Sequence, residues 1–320
     1  MRIAVTGSIA TDHLLSFDGR FVEQLLPDQL AKLSVVFLAS DLQVRRGGTG
    51  ANIAFGMGVL GLRPLLVGSV GKDAAEYLGW LADHGVDTSG VHVSETLASP
   101  RFTVTTDQDQ NQIGSFYPGA MAEAAGIELA PLGALDLVVV APNDPGAMLR
   151  HTAECRDRGI AFAADPSQTL TFLDGAAIQQ LVEGATYLFT NEYEAGLVAD
   201  KTGWSGDDIL GLVQTRITTH GANGIVVQRK GEDDIRVAVA PAEQIAEPTG
   251  VGDAFRAGFL SATSWGLALE RSCQVGALLA THVVETVGTQ EYTYTGARFL
   301  ERLAAAYGDE AAADVQPHLS

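Results

Sequence analysis

An aspartate, Asp253, stands directly behind the segment Gly250-Val251-Gly252 and ahead of a long apolar run. Pro248 and the two glycines disfavour helix, whereas Ala254 to Ser264 reads as one, so the segment is a turn delivering a helix N-terminus. Unpaired N–H groups and the positive end of the helix dipole attract an anion there. A carboxylate aimed at bound phosphate is useful mainly as a proton acceptor. The spacing therefore suits phosphoryl transfer to a hydroxyl, with Asp253 as general base and the amides of Gly250, Val251 and Gly252 as an anion hole. An ordinary turn with an N-capping aspartate uses the same residues, so the rest of the chain must decide.

Other segments offer complementary chemistry. In Arg46 to Gly58, glycines sit where a loop enters a helix; Gly48 lets backbone approach a ligand, and Asn52 lies one turn on, facing the same way. Asn191 makes a good N-cap, and Glu194 is expected near the mouth of a crevice, where a carboxylate can hold hydrated Mg²⁺. Thr219, Gly221 and Gly224 lie in a Gly-bearing bend between two strands; it reads as a plain loop or as a nest of N–H groups for nucleotide phosphates.

The elements that must position these residues alternate. Ile3–Thr6, Pro64–Val70, Leu135–Val140, Ala161–Ala164, Tyr187–Thr190, Ile217–Thr219 and Ile225–Gln228 read as buried strands. Between them Gly50–Leu60, Ala74–His84, Gly146–Arg158, Ala176–Val182 and Glu192–Ala199 read as helices. The pattern predicts an α/β fold, a mostly parallel central sheet flanked by helices, in one domain over 1–320. Residues 12–45 and 91–118 break the rhythm with strand-like pieces and are expected to form a small β lid. Residues 308–320 read as a frayed tail. Ligands of such sheets lie beyond the carboxyl ends of the strands; Asp12, Gly48, Asp165 to Gln168, Asn191 and the Gly250 turn all fit one crevice.

With 320 residues, 46% hydrophobic, the chain can bury a large core. A net charge of −19 argues against nucleic acid or anionic membranes as partners. Two isolated cysteines, no signal-like N-terminal run and no apolar stretch of ~18 residues point to a soluble cytoplasmic protein. No P-loop, dinucleotide fingerprint, metal-spaced histidines or nucleophile elbow occurs.

In this order the pieces resemble the ribokinase-like (PfkB) sugar and nucleoside kinases. Gly47-Gly48 with Asn52 looks like the family's first signature, Asn191 to Glu194 its NxxE, and Pro248 to Phe255 its second signature, which usually opens DTTGAGD. Glu247, Pro248 and Val251 depart from that pattern, and the aspartate and both glycines remain. Within the family, Met1–His13, residues 24–27, Ser115–Met121, Phe162–Gln168 and Gly288–Gln290 look like the bacterial adenosine kinases, although Thr169 replaces a second glutamine. The resemblance implies the ribokinase-like fold, ATP, Mg²⁺ and often K⁺. It implies that Ser8, Asp12, Gly48, Asn52 and Gln168 contact a nucleoside, with Asn191, Thr219, Gly221 and Gly224 at ATP. The expected reaction is phosphorylation of the adenosine 5′-hydroxyl to AMP, a purine-salvage step. Asp12 would supply a carboxylate for ribose hydroxyls, and Phe102 and Phe116 on two lid strands would sandwich a purine. A homodimer through the lid is expected. Open alternatives are a kinase of the same family acting on another nucleoside or a free sugar, an oxidoreductase, and a catalytically silent nucleotide-binding regulator.

Overall fold

The computed structural model describes residues 1–25, 32 and 34–319. The parts of the expected lid at 26–31 and 33, and Ser320 in the expected tail, lie outside the described residues. Among the described residues, thirteen strands form two sheets. The larger takes β1 (Ile3–Thr6), β4 (Leu65–Gly71), β5 (Asp87–Ser94), β8 (Leu137–Val140), β9 (Ala161–Ala164), β10 (Tyr187–Asn191), β11 (Thr215–Thr219), β12 (Ile225–Gln228) and β13 (Ile235–Val237). The smaller takes β2 (Ala10–Ser16), β3 (Asp41–Gly47), β6 (Arg101–Thr106) and β7 (Gln112–Tyr117).

The large sheet runs β13-β12-β11-β10-β9-β8-β1-β4-β5, parallel except for the antiparallel β11–β12–β13 edge. Its central strands are apolar on both faces because helices cover both. Ile3 and Val5 of β1 join the core under helices Thr49–Val59, Val251–Ser264 and Leu269–Val284. Ala4, between them, joins the opposite core under Pro145–Arg158 and Gly175–Val182. That is the two-residue period of a strand. The chain leaves β1 toward β4 and β5, then returns to β8 on its other side. The strand order therefore reverses at β1/β8, where open α/β sheets gather their ligands.

The close seat of helix Thr49–Val59 on β1 rests on bare backbone. A Cβ built on Gly50 would lie 2.6 Å from the Gly7 Cα and 2.7 Å from its carbonyl carbon, and neither can swing aside. Gly50→Ala is expected to destabilise by about 1–3 kcal/mol through overpacking. Denaturant unfolding checks this; an unchanged midpoint would mean that the helix simply rides outward.

Several boundaries differ from the sequence expectation. Val91–Ser94 continue β5, the edge of the large sheet, so the second lid segment pairs only from Arg101. Gly56 and Gly58 admit Ala257 of a neighbouring helix and the His84 carbonyl. The C-terminal stretch is not frayed: Asp309–Val315 is a helix whose Ala311 and Val315 are fully buried. The lid sheet runs β3-β2-β6-β7 and is joined to the large layer by an ion pair, Arg45 Nη1 to Glu247 Oε2 at 2.6 Å. Glu247 also accepts from the Gly288 amide at 3.0 Å. This residue departs from the second signature and has become a lid contact.

Candidate active site

A cavity of about 870 Å³ opens at the carboxyl ends of the strands. Ser8 follows β1, Asn143 follows β8, Gln168 follows β9, and Asn191 and Thr219 end β10 and β11; all five line it. So do Asp12, Gly48, Asn52, Phe102, Phe116, Glu194, Gly221, Gly250, Gly252 and Asp253. Asp12 and Asp253, 241 residues apart in the chain, share one chamber.

Asp253 is held by the helix that carries it and by one aimed donor. Gly250 is the N-cap, with φ of 78°, a left-handed conformation that glycine adopts freely. The helix begins at Val251, three residues earlier than expected, so Gly252 and Asp253 lie in its first turn. Neither Gly252 nor Asp253 donates its N–H to another backbone group among the described residues, as a first turn requires. The Asn52 Nδ2 donates to Asp253 Oδ2 at 2.8 Å. Burial pushes the Asp253 carboxyl up to about 6; Arg256 and the Asn52 hydrogen bond pull it back, and Glu194 adds to the rise.

Asn52 is itself fixed from behind. Its Oδ1 accepts from Thr289 Oγ1 and from Gln290 Nε2, both at 2.9 Å. Gln290 also donates to Tyr77 Oη at 2.6 Å, and that hydroxyl donates to the Gly47 carbonyl at 2.7 Å. With Oδ1 taken twice, only the Asn52 NH₂ can face the carboxylate, so the amide orientation follows from its partners.

Two expected contributors stand elsewhere. Val251 does not line the cavity: its amide donates to the Pro248 carbonyl at 3.4 Å and its side chain packs on the core, which removes it from the anion hole. Gly224 closes the β11–β12 bend with φ of 93°, its carbonyl accepting from His220 N at 2.8 Å, and it lies against Val237 outside the cavity wall. Its glycine serves the turn. Phe102 and Phe116 do line the cavity, but they are directly paired across β6 and β7. Cross-strand partners project from one face. The rings therefore form one platform, not the two sides of a sandwich.

The remaining polar residues divide their bonds between fold and cavity. Gly48, φ 92°, sits so close to Ser8 that any Cβ would meet the Ser8 carbonyl oxygen at 2.5 Å. Ser8 Oγ accepts from Thr49 N at 3.0 Å, leaving its O–H free to donate. Half-buried Asp12 is raised to about 6 by burial and by Glu247, against Arg45. Glu194 forms a capping box with Asn191: each side chain accepts from the other's amide at 2.8 Å. Its Oε1 lies 3.4 Å from Ser167 Oγ and it still borders the cavity. No cluster of three or more His, Cys, Asp or Glu able to hold a metal occurs among the described residues. A Mg²⁺ ion that keeps its water and leans on substrate phosphates needs only one such carboxylate, so Glu194 fits that mode.

Sequence reasoning missed Thr289, Gln290 and Tyr77 as supports, and Arg256 altogether. Arg256 follows Asp253 by three residues, hence on the same helix face, a spacing that could have flagged it.

The chain is similar over most of its length to known kinases. The profile of the "pfkB family carbohydrate kinase" matches residues 15–295. A nucleoside kinase of Methanocaldococcus jannaschii is 31% identical over 259 residues, spanning 80% of this chain and 85% of the relative. The solved structure of Burkholderia thailandensis nucleoside kinase in complex with inosine superposes with a TM-score of 0.84 at 34% identity, covering 96% of this chain and 98% of that one. The same enzyme in complex with ADP-inosine gives 0.82 at 35% identity, covering 96% of each.

Proposed function

Because the chain belongs to the pfkB family of carbohydrate kinases, and so is a ribokinase-like phosphotransferase, we propose that it transfers the γ-phosphoryl group of ATP to the 5′-hydroxyl of adenosine. The observation that carries this reading is the shared chamber: a nucleoside-sized space lined by Asp12 and the Phe102–Phe116 platform as well as by Asp253, Gly250 and Gly252 of the helix start.

Asp12 accepts hydrogen bonds from the ribose hydroxyls, and the phenylalanine platform stacks the base, worth ~1–3 kcal/mol per aromatic contact. The 5′-hydroxyl is thereby brought to Asp253, which takes its proton as the oxygen attacks the γ-phosphorus. The Gly252 and Asp253 amides, at the positive end of the helix, stabilise charge on the transferring group. Asn191, Thr219 and Gly221 border the nucleotide. Glu194 would hold Mg²⁺ through its water, and the ion would supply charge neutralisation for the ATP phosphates. Closure of the β2-β3-β6-β7 lid excludes water that would otherwise hydrolyse ATP.

Steady-state kinetics over adenosine, inosine, guanosine, ribose and fructose tests the assignment. Adenosine should give the highest kcat/KM; a preference for ribose or fructose would overturn the nucleoside reading. The inosine complex of the Burkholderia relative supports a second reading, in which inosine is the better acceptor. Phe102→Ala should raise KM for adenosine far more than for ribose. Equal effects would place the ring in lid packing.

A homodimer through the lid completes the proposal. Leu42 and Val44 of β3 are 54% and 57% exposed, and Val36 and Leu38 before it are each 88% exposed, an apolar strip at a sheet edge that a second copy would cover. Light scattering distinguishes dimer from monomer. No helix among the described residues is long and apolar enough to cross a membrane.

A further inference from the structure

We infer that Arg256, anchored by Asp165, is a further catalytic residue: its guanidinium donates to the oxygens of the transferring phosphoryl group. This deepens the kinase reading and rests on it.

Arg256 is the only basic residue among the described residues lining the cavity, which otherwise presents the carboxylates of Asp12, Glu194 and Asp253. A polyanion entering that chamber meets three like charges and this one cation. The chain's net charge of −19 makes a local cation more necessary, since the global field also repels phosphate.

The side chain is fixed at both ends. Arg256 is 7% exposed, and its Nη2 pairs with fully buried Asp165 Oδ1 at 2.6 Å. The guanidinium carbon lies 5.7 Å from the Phe189 ring centroid, within cation–π range. The other arm points at the anion hole. A Cβ built on Gly252 would lie 2.7 Å from Arg256 Nη1, so that nitrogen occupies the space beside the very residue whose amide faces the phosphate. Arg256 Nε is buried without a hydrogen-bond partner. A buried guanidinium with only one arm paired, next to open helix-start amides, is arranged for an anion.

Asp165 is a positioning residue in this scheme. It directly follows β9 and pairs with the guanidinium. A side chain on Gly252 would push aside the guanidinium end that lies next to it. The arrangement makes the proton acceptor and the hydrogen-bond donor to the phosphoryl oxygens share one helix turn, three residues apart.

Two measurements test it. The first is the ratio of ATP to ADP affinity by titration calorimetry, which needs no acceptor and so separates this inference from the choice of nucleoside. Arg256→Lys, which keeps a charge for Asp165, and Arg256→Met combined with Asp165→Asn, which leaves no lone buried charge, should each lower the ratio, the latter by at least ~10-fold. In the second, the paired variant should lose at least ~10² in kcat on the best acceptor, as for other phosphoryl-contacting arginines, while acceptor affinity stays within ~3-fold. Gly252→Ala should reduce kcat when Arg256 is present and add little once it is gone. An unchanged ATP-to-ADP ratio, or a Gly252→Ala loss of equal size in both backgrounds, overturns the inference. Equal losses in acceptor affinity and kcat overturn it too, because they would make the pair a support of the fold.

Discussion

Asp253→Asn is expected to lower kcat by at least ~10², the usual reach of general-base assistance, while KM for the nucleoside changes little. The substitution keeps shape and burial but removes the proton acceptor. It also turns the Asn52 NH₂ from a donor to a carboxylate into a donor to a neutral amide. A coupled assay of ADP release measures it, and a near-wild-type kcat would take Asp253 out of the base role. Two pH effects accompany it. With Asp253 and Asp12 both lifted to about 6 by burial, kcat/KM should fall as pH drops through 6, because the carboxylate forms are the working ones. Stability runs the other way. A carboxyl whose folded pKa exceeds its unfolded value binds more protons when folded, so it draws stability away as pH rises from about 4 to 6. Asp253→Asn should therefore melt at a higher temperature than the parent at pH 8.

Asp12→Asn should raise KM for adenosine by roughly 10- to 100-fold, the range of hydrogen bonds to a charged group, with a smaller change in kcat. The same loss should appear when the parent enzyme is given 2′-deoxyadenosine. Combining the variant with the deoxy substrate should add little, because both remove one contact. Full additivity would show that Asp12 does not face the ribose. Its burial among Glu247 and Arg45 makes it a strained anion in the free protein, which a pair of sugar hydroxyls would relieve.

Those two acids were legible because each sits in a local signal: Asp253 behind its glycine turn, Asp12 just past the first strand. The alternation of strands and helices gave the layered sheet, and strand ends gave the side of the sheet that binds. What stayed hidden depends on contacts distant in sequence. Gln290 supports Asn52 from 238 residues away, and nothing near either residue announces the pairing. Val251 looked like a third free amide because a turn was expected to run on to Ala254; the early helix start gives its N–H to Pro248 instead. Phe102 and Phe116 do lie on strands, β6 and β7, but which faces they share depends on the β6–β7 register, which composition does not set. Asp309–Val315 read as a tail because alanines and acids carry little hydrophobic signal, although Ala311 and Val315 are fully buried.

The hydrogen-bonded file from the Gly47 carbonyl through Tyr77 and Gln290 to Asn52 and Asp253 is made of protein groups alone. It roots in the last residue of β3, where the lid joins the body. The Asp253 carboxylate is thus braced by the same girder that ends at the junction of the two sheets. On the proposed kinase reading the small sheet would add only shelter from solvent, the aim being already set.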